Sequence, residues 1–210
     1  SDRIKYVKML EAQTLSKALE DYRRMTRDPN AKVRATAIMG FKRIDDEETR
    51  FKLVKQFYDD SDGRVRANAI ELLPDTKPDN QEMISIAKKA SNSEIRREKA
   101  NALAKLLNWE FYEYEKALLE MLDSDDEWTR TSALWVIGVT NLPHLIDRLR
   151  DAANDKRSHV REMAVRGIGI KGSEDDLRAL MPFLQDPDRN VRLATQKALR
   201  SRLHLSFEVA

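Results

Sequence analysis

A phrase of about eleven residues recurs along this chain, and its spacing constrains the fold more than any other feature. It reads DPNAKVRATAI from Asp28 and DSDGRVRANAI from Asp60, and it returns as DKRSHVREMAV from Asp155 and DPDRNVRLATQ from Asp186. Weaker copies are ASNSEIRREKA from Ala90 and SDDEWTRTSAL from Ser124. Each copy carries one anchor arginine: Arg34, Arg66, Arg96, Arg130, Arg161 and Arg192. These arginines stand 30 to 34 residues apart, a period typical of helical repeat arrays.

The positions around each arginine predict a helix. The residue before it is Val or Ile in five of the six copies, and the seventh residue after it is always apolar. The third residue after it is alanine in four copies, with Lys99 and Thr195 as departures. Offsets of −1, +3 and +7 lie on one face of a helix, and alanine there predicts close approach of a neighbouring helix.

A second helix is predicted before each phrase. Apolar residues recur at helical spacing upstream of the turn, as in Tyr22 with Met25 and Val54 with Phe57. Asp-Pro and Asp-Ser-Asp-Gly are sequences that form turns and helix N-caps. No segment alternates polar and apolar residues as a half-buried strand does. Each repeat is therefore predicted to be helix A, a tight turn and helix B.

The motif D-P-x-x-x-V-R-x-x-A at this period resembles HEAT repeats, in particular the HEAT-like repeats of the PBS-lyase type. The resemblance covers residues 14–204 and implies an all-α, right-handed α-solenoid of six repeats, at about 14–45, 46–77, 78–109, 110–141, 142–172 and 173–204. Residues 1–13 are interpreted as a cap or the last helix of a preceding repeat, and 205–210 as a tail. The resemblance also implies that the repeated Asp and Arg hold neighbouring turns together. We call these residues the Asp–Arg ladder and interpret it as structural; its pairs are Asp28 with Arg34, Asp60 with Arg66, Asp155 with Arg161 and Asp186 with Arg192.

The composition sets limits on function. The chain has 38 basic and 36 acidic residues, so its net charge favours neither nucleic acid nor a membrane surface. It has no cysteine, which is typical of a reducing compartment and predicts a cytoplasmic location. No apolar run approaches the ~20 residues that span a bilayer. Because it begins Ser1-Asp2 without methionine, we expect it to be part of a longer protein.

The stretch GIGIKG, residues 167–172, matches the dinucleotide-binding pattern G-x-G-x-x-G. That pattern binds a pyrophosphate only when it follows a strand and opens a helix. Here it lies at the end of a predicted helix B, so a dinucleotide site is excluded. We predict that Gly172 ends the helix in a left-handed conformation and that Ser173 caps the next one.

Binding is predicted on the B helices, which line the concave surface of a solenoid. Their outward positions should be +1, +2 and +5 from the arginine. The candidate residues are Glu71, Arg97, Asn101, Trp135, Met163, Arg166 and Lys197. Trp135 is the predicted anchor, because tryptophan is enriched among the residues that dominate binding energy. The alternative is that Trp135 packs inward between repeats four and five.

A second candidate surface is acidic and aromatic. The segment NWEFYEYE, residues 108–115, is followed by DSDDEW from Asp123. The candidate residues are Trp109, Tyr112, Glu113, Asp125 and Asp126. Such a surface would suit a basic protein and repel phosphates. The alternative is aromatic filling at an irregular repeat junction beside a solvated charged face.

The sequence therefore predicts a scaffold or adaptor that binds another protein and is not an enzyme. No catalytic, metal or cofactor-binding residues are assigned, since histidines lack ligand spacing and nucleophile motifs are missing. The resemblance leaves two alternatives: a lyase that attaches or removes bilin chromophores, and, less favoured, a DNA-binding protein like the HEAT-like alkylpurine glycosylases. The partner's identity and the oligomeric state stay open.

Overall fold

A computed structural model of the chain describes residues 2–203, and this part consists of helices joined by turns and short 3₁₀ segments, without a strand. Its α-helices are α1 Asp2–Met9, α2 Leu15–Met25, α3 Ala31–Met39, α4 Glu47–Val54, α5 Gly63–Glu71, α6 Gln81–Ala90, α7 Arg96–Asn108, α8 Glu115–Leu122, α9 Glu127–Val139, α10 Ile146–Ala152, α11 Ser158–Lys171, α12 Glu174–Ala179 and α13 Arg189–Leu203. The end of the sixth predicted repeat, at residue 204, and the predicted tail lie outside the described residues.

The helices form A–B pairs, which confirms the predicted all-α solenoid fold. The A helices are α2, α4, α6, α8, α10 and α12, and each is followed by a B helix. Successive B helices pack on one another within each of two compact units, which divide between Phe111 and Tyr112. The first unit also contains α1, which packs on α3.

The alanine positions form the tightest part of the core. Ala37 and Ala69 in the first unit, and Ala133 and Ala164 in the second, have no solvent exposure. Thr195, which departs from the pattern, is equally buried and satisfies its hydroxyl by donating to the Val191 carbonyl at 2.9 Å. Small side chains here let the neighbouring helices approach closely, as the repeat pattern predicts.

The third repeat corrects the register inferred from the sequence. Every other B helix of the pairs has its anchor arginine as the fourth helical residue, whereas Arg96 is the first residue of α7. The fourth residue is Lys99, and counting from it places Ala102 and Leu106, both fully buried, at the +3 and +7 positions. Arg96 is therefore not the anchor, and Lys99 does not occupy the alanine position.

In the first and fifth repeats, the guanidinium of the anchor arginine joins two successive turns. Nη1 of Arg34 donates to the carbonyl oxygen of Asp28 in its own turn at 3.0 Å. Its Nε and Nη2 donate to the two carboxylate oxygens of Asp60, in the next repeat, at 3.0 and 2.8 Å. Arg161 makes the same paired contact with Asp186, both distances being 2.8 Å. The carboxylates of Asp60 and Asp186 thus each bind the arginine of the preceding repeat, in the bidentate geometry that favours Arg over Lys.

The third repeat supplies this carboxylate differently. Its turn carries Ser93 where the first, second, fifth and sixth repeats carry aspartate. Arg66 instead binds Glu98, one residue before Lys99, with Nε donating at 3.1 and 3.0 Å. The Ser93 hydroxyl donates to the same carboxylate at 2.9 Å. Ser93 and Glu98 together thus take the place of the turn aspartate and preserve the ion pair with Arg66. Glu98 is buried, although its position two residues after Arg96 was predicted to face outward.

The GIGIKG stretch ends helix α11 and opens α12. Ser173 and Asp176 form a reciprocal capping box, as predicted from the sequence. Gly172, however, has φ −62° and ψ 153°, so the predicted left-handed conformation is wrong. A Cβ atom at this position would lie 2.7 Å from the carbonyl oxygen of Ile168. Glycine is needed here for close approach and not for its backbone angle.

Helix α7 ends with a left-handed residue that is not glycine. Glu110 has φ 66°, the one positive φ among the described non-glycine residues. The amide of Phe111 donates to the carbonyl of Leu106 at 2.9 Å, and that of Glu110 to Leu107 at 3.1 Å. These two hydrogen bonds form a Schellman motif, in which this position usually carries glycine.

The ladder makes stability depend on pH. The hydrogen bond from Arg161 holds the pKa of Asp186 below its usual range. A carboxylate with a depressed folded-state pKa stabilises the protein above its unfolded pKa and loses that effect as pH falls through the folded value. Asp186→Asn should lower the free energy of unfolding at pH 7 by about 1–3 kcal/mol.

That difference from wild type should shrink as pH falls below about 4, the unfolded-state pKa of aspartate, when measured by urea unfolding. Asp151→Asn, at the exposed end of α10, is the control and should stay within about 0.5 kcal/mol of wild type. A deficit in Asp186→Asn that stays constant across this pH range would contradict the ladder's electrostatic role.

Glycine at position 110 should relieve backbone strain. We expect Glu110→Gly to raise the free energy of unfolding by about 0.5–1 kcal/mol, because a Cβ is unfavourable at positive φ. Glu110→Ala removes the same carboxylate and keeps the Cβ, so it should show no such gain in chemical denaturation. Equal effects of the two substitutions would show that the backbone angle is not the cause.

Candidate functional site

The second unit carries an open groove across the B helices α9, α11 and α13, with a volume of about 410 Å³. Its walls are formed by large side chains, and two of these are well exposed although apolar: Ile170 at 54 % and Leu193 at 45 %. The wall residues are Trp135, Met163, Arg166, Ile170, Leu193 and Lys197. A solvent-facing apolar surface of this kind is the usual centre of a binding site.

The floor of the groove consists of small residues at which helix backbones meet. A Cβ on Gly138 of α9 would lie 2.9 Å from Cα of Gly167 of α11. A Cβ on Gly169 would lie 2.7 Å from Cβ of Ala198 of α13. The three helices therefore pack with almost no side chain between them here, and the larger side chains on either side rise above this floor.

The charges at the groove are partly matched. Nη2 of Arg166 lies 2.6 Å from Oε1 of Glu162, one turn earlier on α11, and the Arg166 side chain is 60 % exposed. Lys197 of α13 is also exposed. The groove thus offers apolar surface, one exposed ion pair and a lysine. These groups can bind another molecule through apolar and charged contacts.

Four residues predicted from the sequence meet in this groove: Trp135, Met163, Arg166 and Lys197. Trp135 is half-buried, so it takes part in the packing and also presents surface to the groove. Two wall residues were missed. Leu193 occupies the +1 position of α13, a position the sequence analysis already treated as outward, and Ile170 lies on α11 beyond the offsets considered.

The other predicted B-helix residues belong to the first unit. Nη2 of Arg97 donates to Oε2 of Glu71 at 3.1 Å, so these two form an ion pair at the surface. Asn101 is buried, and its side-chain amide donates to the carbonyl of Ala67 at 2.8 Å. The prediction that Asn101 faces a partner is wrong, because its position, +2 from Lys99, faces the preceding B helix, just as Asn68 at +2 in α5 donates to the carbonyl of Ala35 in α3.

The acidic aromatic surface is only partly present. Trp109 has no solvent exposure and its indole N–H donates to the carbonyl of Pro74 at 3.2 Å, so its assignment to this surface is wrong. Tyr112 is 52 % exposed, and Glu113 and Asp125 are also exposed. Asp126 is exposed but caps α9 by accepting from the Thr129 amide at 2.8 Å.

A stacked aromatic pair in the second unit, of which Trp128 is exposed and His159 is half-buried, was missed from the sequence. The rings of Trp128 and His159 stack with centroids 4.3 Å apart. Both residues stand two positions before the anchor arginine of their repeats, which is the signal that could have paired them. Glu127 Oε1 lies 3.7 Å from His159 Nε2, and its other oxygen binds Arg157 at 2.8 Å.

A larger crevice in the first unit, about 600 Å³, is lined by charges that neutralise one another. Lys55 binds Glu82 at 2.8 Å and Lys89 binds Asp59 at 2.7 Å, each pair joining the segment that follows α4 to α6. The ion pair of Arg66 with Glu98 also lines this crevice. This crevice is a repeat junction whose charged side chains are paired with one another or with a neighbouring repeat.

Within residues 2–203, no group of three or more His, Asp or Glu side chains is arranged to hold a metal ion. None of the helices described is both long and apolar enough to cross a bilayer.

Comparison with known proteins identifies the family. The family model for HEAT repeats matches residues 2–74 and 115–200, well over half of the chain. The chain therefore belongs to the HEAT-repeat family. No curated protein matches the sequence.

Solved structures show the same fold at low sequence identity. YibA of Escherichia coli is 16 % identical with a TM-score of 0.56, over 96 % of this chain and 76 % of that one. The complex of CpcE and CpcF of phycocyanin lyase from Nostoc sp. is 13 % identical with a TM-score of 0.57, over 85 % of this chain and 74 % of that one. Both support the predicted likeness to PBS-lyase-type repeat proteins.

The close packing of α9, α11 and α13 depends on the glycines in the groove floor. Two glycine-to-alanine substitutions test whether backbone contact is the critical constraint. Gly138→Ala places a Cβ against the Gly167 backbone, which cannot move aside without separating α9 from α11. We expect a loss of about 1–3 kcal/mol in the free energy of unfolding, despite alanine's better helix propensity of about 1 kcal/mol.

Gly167→Ala is the matched comparison, because the atoms nearest its Cβ, at 2.9 Å, are the terminal methyl groups of Leu149. Since a side-chain end can shift more easily than a backbone, this variant should lose less stability in the same denaturation experiment. A larger loss in Gly167→Ala than in Gly138→Ala would contradict backbone contact as the critical constraint.

Proposed function

We propose that the chain is a non-enzymatic protein-interaction module whose partner docks in the groove of α9, α11 and α13. The observation that carries this proposal is the apolar wall around Trp135, in which Ile170 and Leu193 are roughly half exposed. Burying such surface is the main favourable term in protein association. The absence of cysteine fits a cytoplasmic setting for this role.

The architecture favours binding because the groove is already formed. Trp135 and Met163 lie on helices whose backbones are in contact through the glycine floor, so they need little ordering when a partner arrives. A pre-organised surface loses less conformational entropy on association and so binds more tightly for the same contact area. Arg166 and Lys197, at the edge of the apolar surface, would contribute specificity and association rate.

Bilin-lyase-like activity is the second candidate, supported by the fold shared with the CpcE–CpcF complex. It makes a different prediction: co-expression with a bilin and an apo-phycobiliprotein should produce new visible absorbance. We favour the interaction module because the groove's wall residues, rather than a catalytic constellation, form the most developed surface in the second unit.

The test is co-precipitation from a lysate of the source organism, with bound proteins identified by mass spectrometry. The wild type should enrich one protein, and Trp135→Ala and Leu193→Ser should each weaken its binding by roughly tenfold, or ~1.4 kcal/mol. Leu193→Ser is informative because Leu193 is 45 % exposed, so the substitution should leave the fold intact.

Tyr112→Ala is the matched control, since Tyr112 is an exposed aromatic residue of the same unit and does not line the groove. It should retain the partner at the wild-type level. Loss of binding in Tyr112→Ala alone would transfer the function to the acidic aromatic surface, and failure to enrich any protein would refute the interaction module.

A further inference from the structure

The B helices that form the groove are rich in positive charge. Helix α13 contains five basic residues and no acidic one, namely Arg189, Arg192, Lys197, Arg200 and Arg202. Helix α11 adds three basic residues and a single acid, Glu162. The A helix α12, in contrast, has three acids in its first turn and one arginine. Within the second unit, positive charge is therefore concentrated on the helices that line the groove.

Hydrogen bonding does not remove this positive charge. Arg192 donates to the carbonyl of Asp186 at 2.7 Å, and Arg202 to the carbonyls of Ile170 and Gly172 at 2.8 and 3.1 Å. These acceptors are neutral, so both guanidinium groups keep a full charge. The Asp186 carboxylate is engaged by Arg161. The potential near α13 is consequently positive, and it favours an anionic group close to Lys197.

The apolar wall of the groove favours a ligand that also carries an apolar group. Ile170, Leu193, Met163 and Trp135 form most of its wall, and a volume of about 410 Å³ is at the lower end of the range for ligand-binding clefts. Such a space suits one or two bulky apolar side chains. A phosphate chain would gain nothing from these side chains and would lie beside the Glu162 carboxylate, which disfavours nucleic acid.

We propose that the groove binds an acidic peptide segment of the partner protein, which inserts a bulky apolar side chain between Trp135 and Leu193 and places carboxylates near Lys197 and Arg166. This inference rests on the proposed function and specifies the chemistry of the partner. Charge complementarity at the rim sets orientation and association rate, while the apolar insertion supplies most of the affinity.

The first experiment selects ligands without assuming their charge. A display library of random short peptides is panned against the full chain and counter-selected against the Leu193→Ser and Trp135→Ala variants. The expected sequences are net acidic with at least one large apolar residue. Groove-dependent sequences that are basic or uncharged would overturn the acidic assignment and leave the interaction module standing. Recovery of no groove-dependent sequence would refute both.

The second experiment measures the contribution of charge with the most enriched peptide and fluorescence anisotropy. Lys197→Glu should weaken binding at least tenfold, and added salt should weaken wild-type binding by screening the same interaction. Lys116→Glu makes the same charge change on the exposed surface of α8 and should stay within about twofold of wild type. Equal effects of the two substitutions would overturn the placement of the carboxylates.

A competition experiment separates peptide from nucleic acid. A single-stranded oligonucleotide with the same number of negative charges as the peptide should fail to displace it at equal concentration. Displacement at lower concentration than the unlabelled peptide would identify the groove as a nucleic-acid site and overturn the proposal.

Discussion

The bond between one arginine and two successive turns is the interaction on which this architecture depends. Each A–B pair of helices is too small to bury its own apolar face, so stability comes from stacking on its neighbours. Arg34 and Arg161 close their own turn through a carbonyl and bind the next turn through a carboxylate. The third repeat retains this bond through Glu98 in place of the turn aspartate. The same contact thus sets both the local turn and the register between repeats.

The candidate groove arises from a second constraint, the size of the residues between B helices. In every pair the +3 position is small and fully buried. In the second unit, Gly138, Gly167 and Gly169 extend this contact toward the helix C-termini. Closely packed backbones form a floor, while Trp135 and Leu193, further out on the same helices, form walls. One packing rule therefore produces both the core of the unit and the concavity offered to a partner.

Much of this could be predicted from the repeat alone, and the failures have identifiable causes. The helix pairs, the buried columns and four residues of the groove wall follow from a period and a helical offset. Asn101 was misplaced because the +2 position faces the preceding B helix, where Asn68 and Asn101 each donate to a carbonyl more than 30 residues earlier in the chain. Trp109 was misplaced because its carbonyl acceptor, on Pro74, is 35 residues earlier in the chain.

The sequence by itself determined the class of fold, the alternation of A and B helices and most core positions, because these depend on helical periodicity within short segments. The tertiary structure decided which outward residues share a surface, how far Trp135 is exposed and where the positive charge of α11 and α13 is concentrated. Those properties depend on contacts between residues about 30 positions apart, such as Gly138 with Gly167. No local pattern encodes such distances, since they are set by how the helices stack.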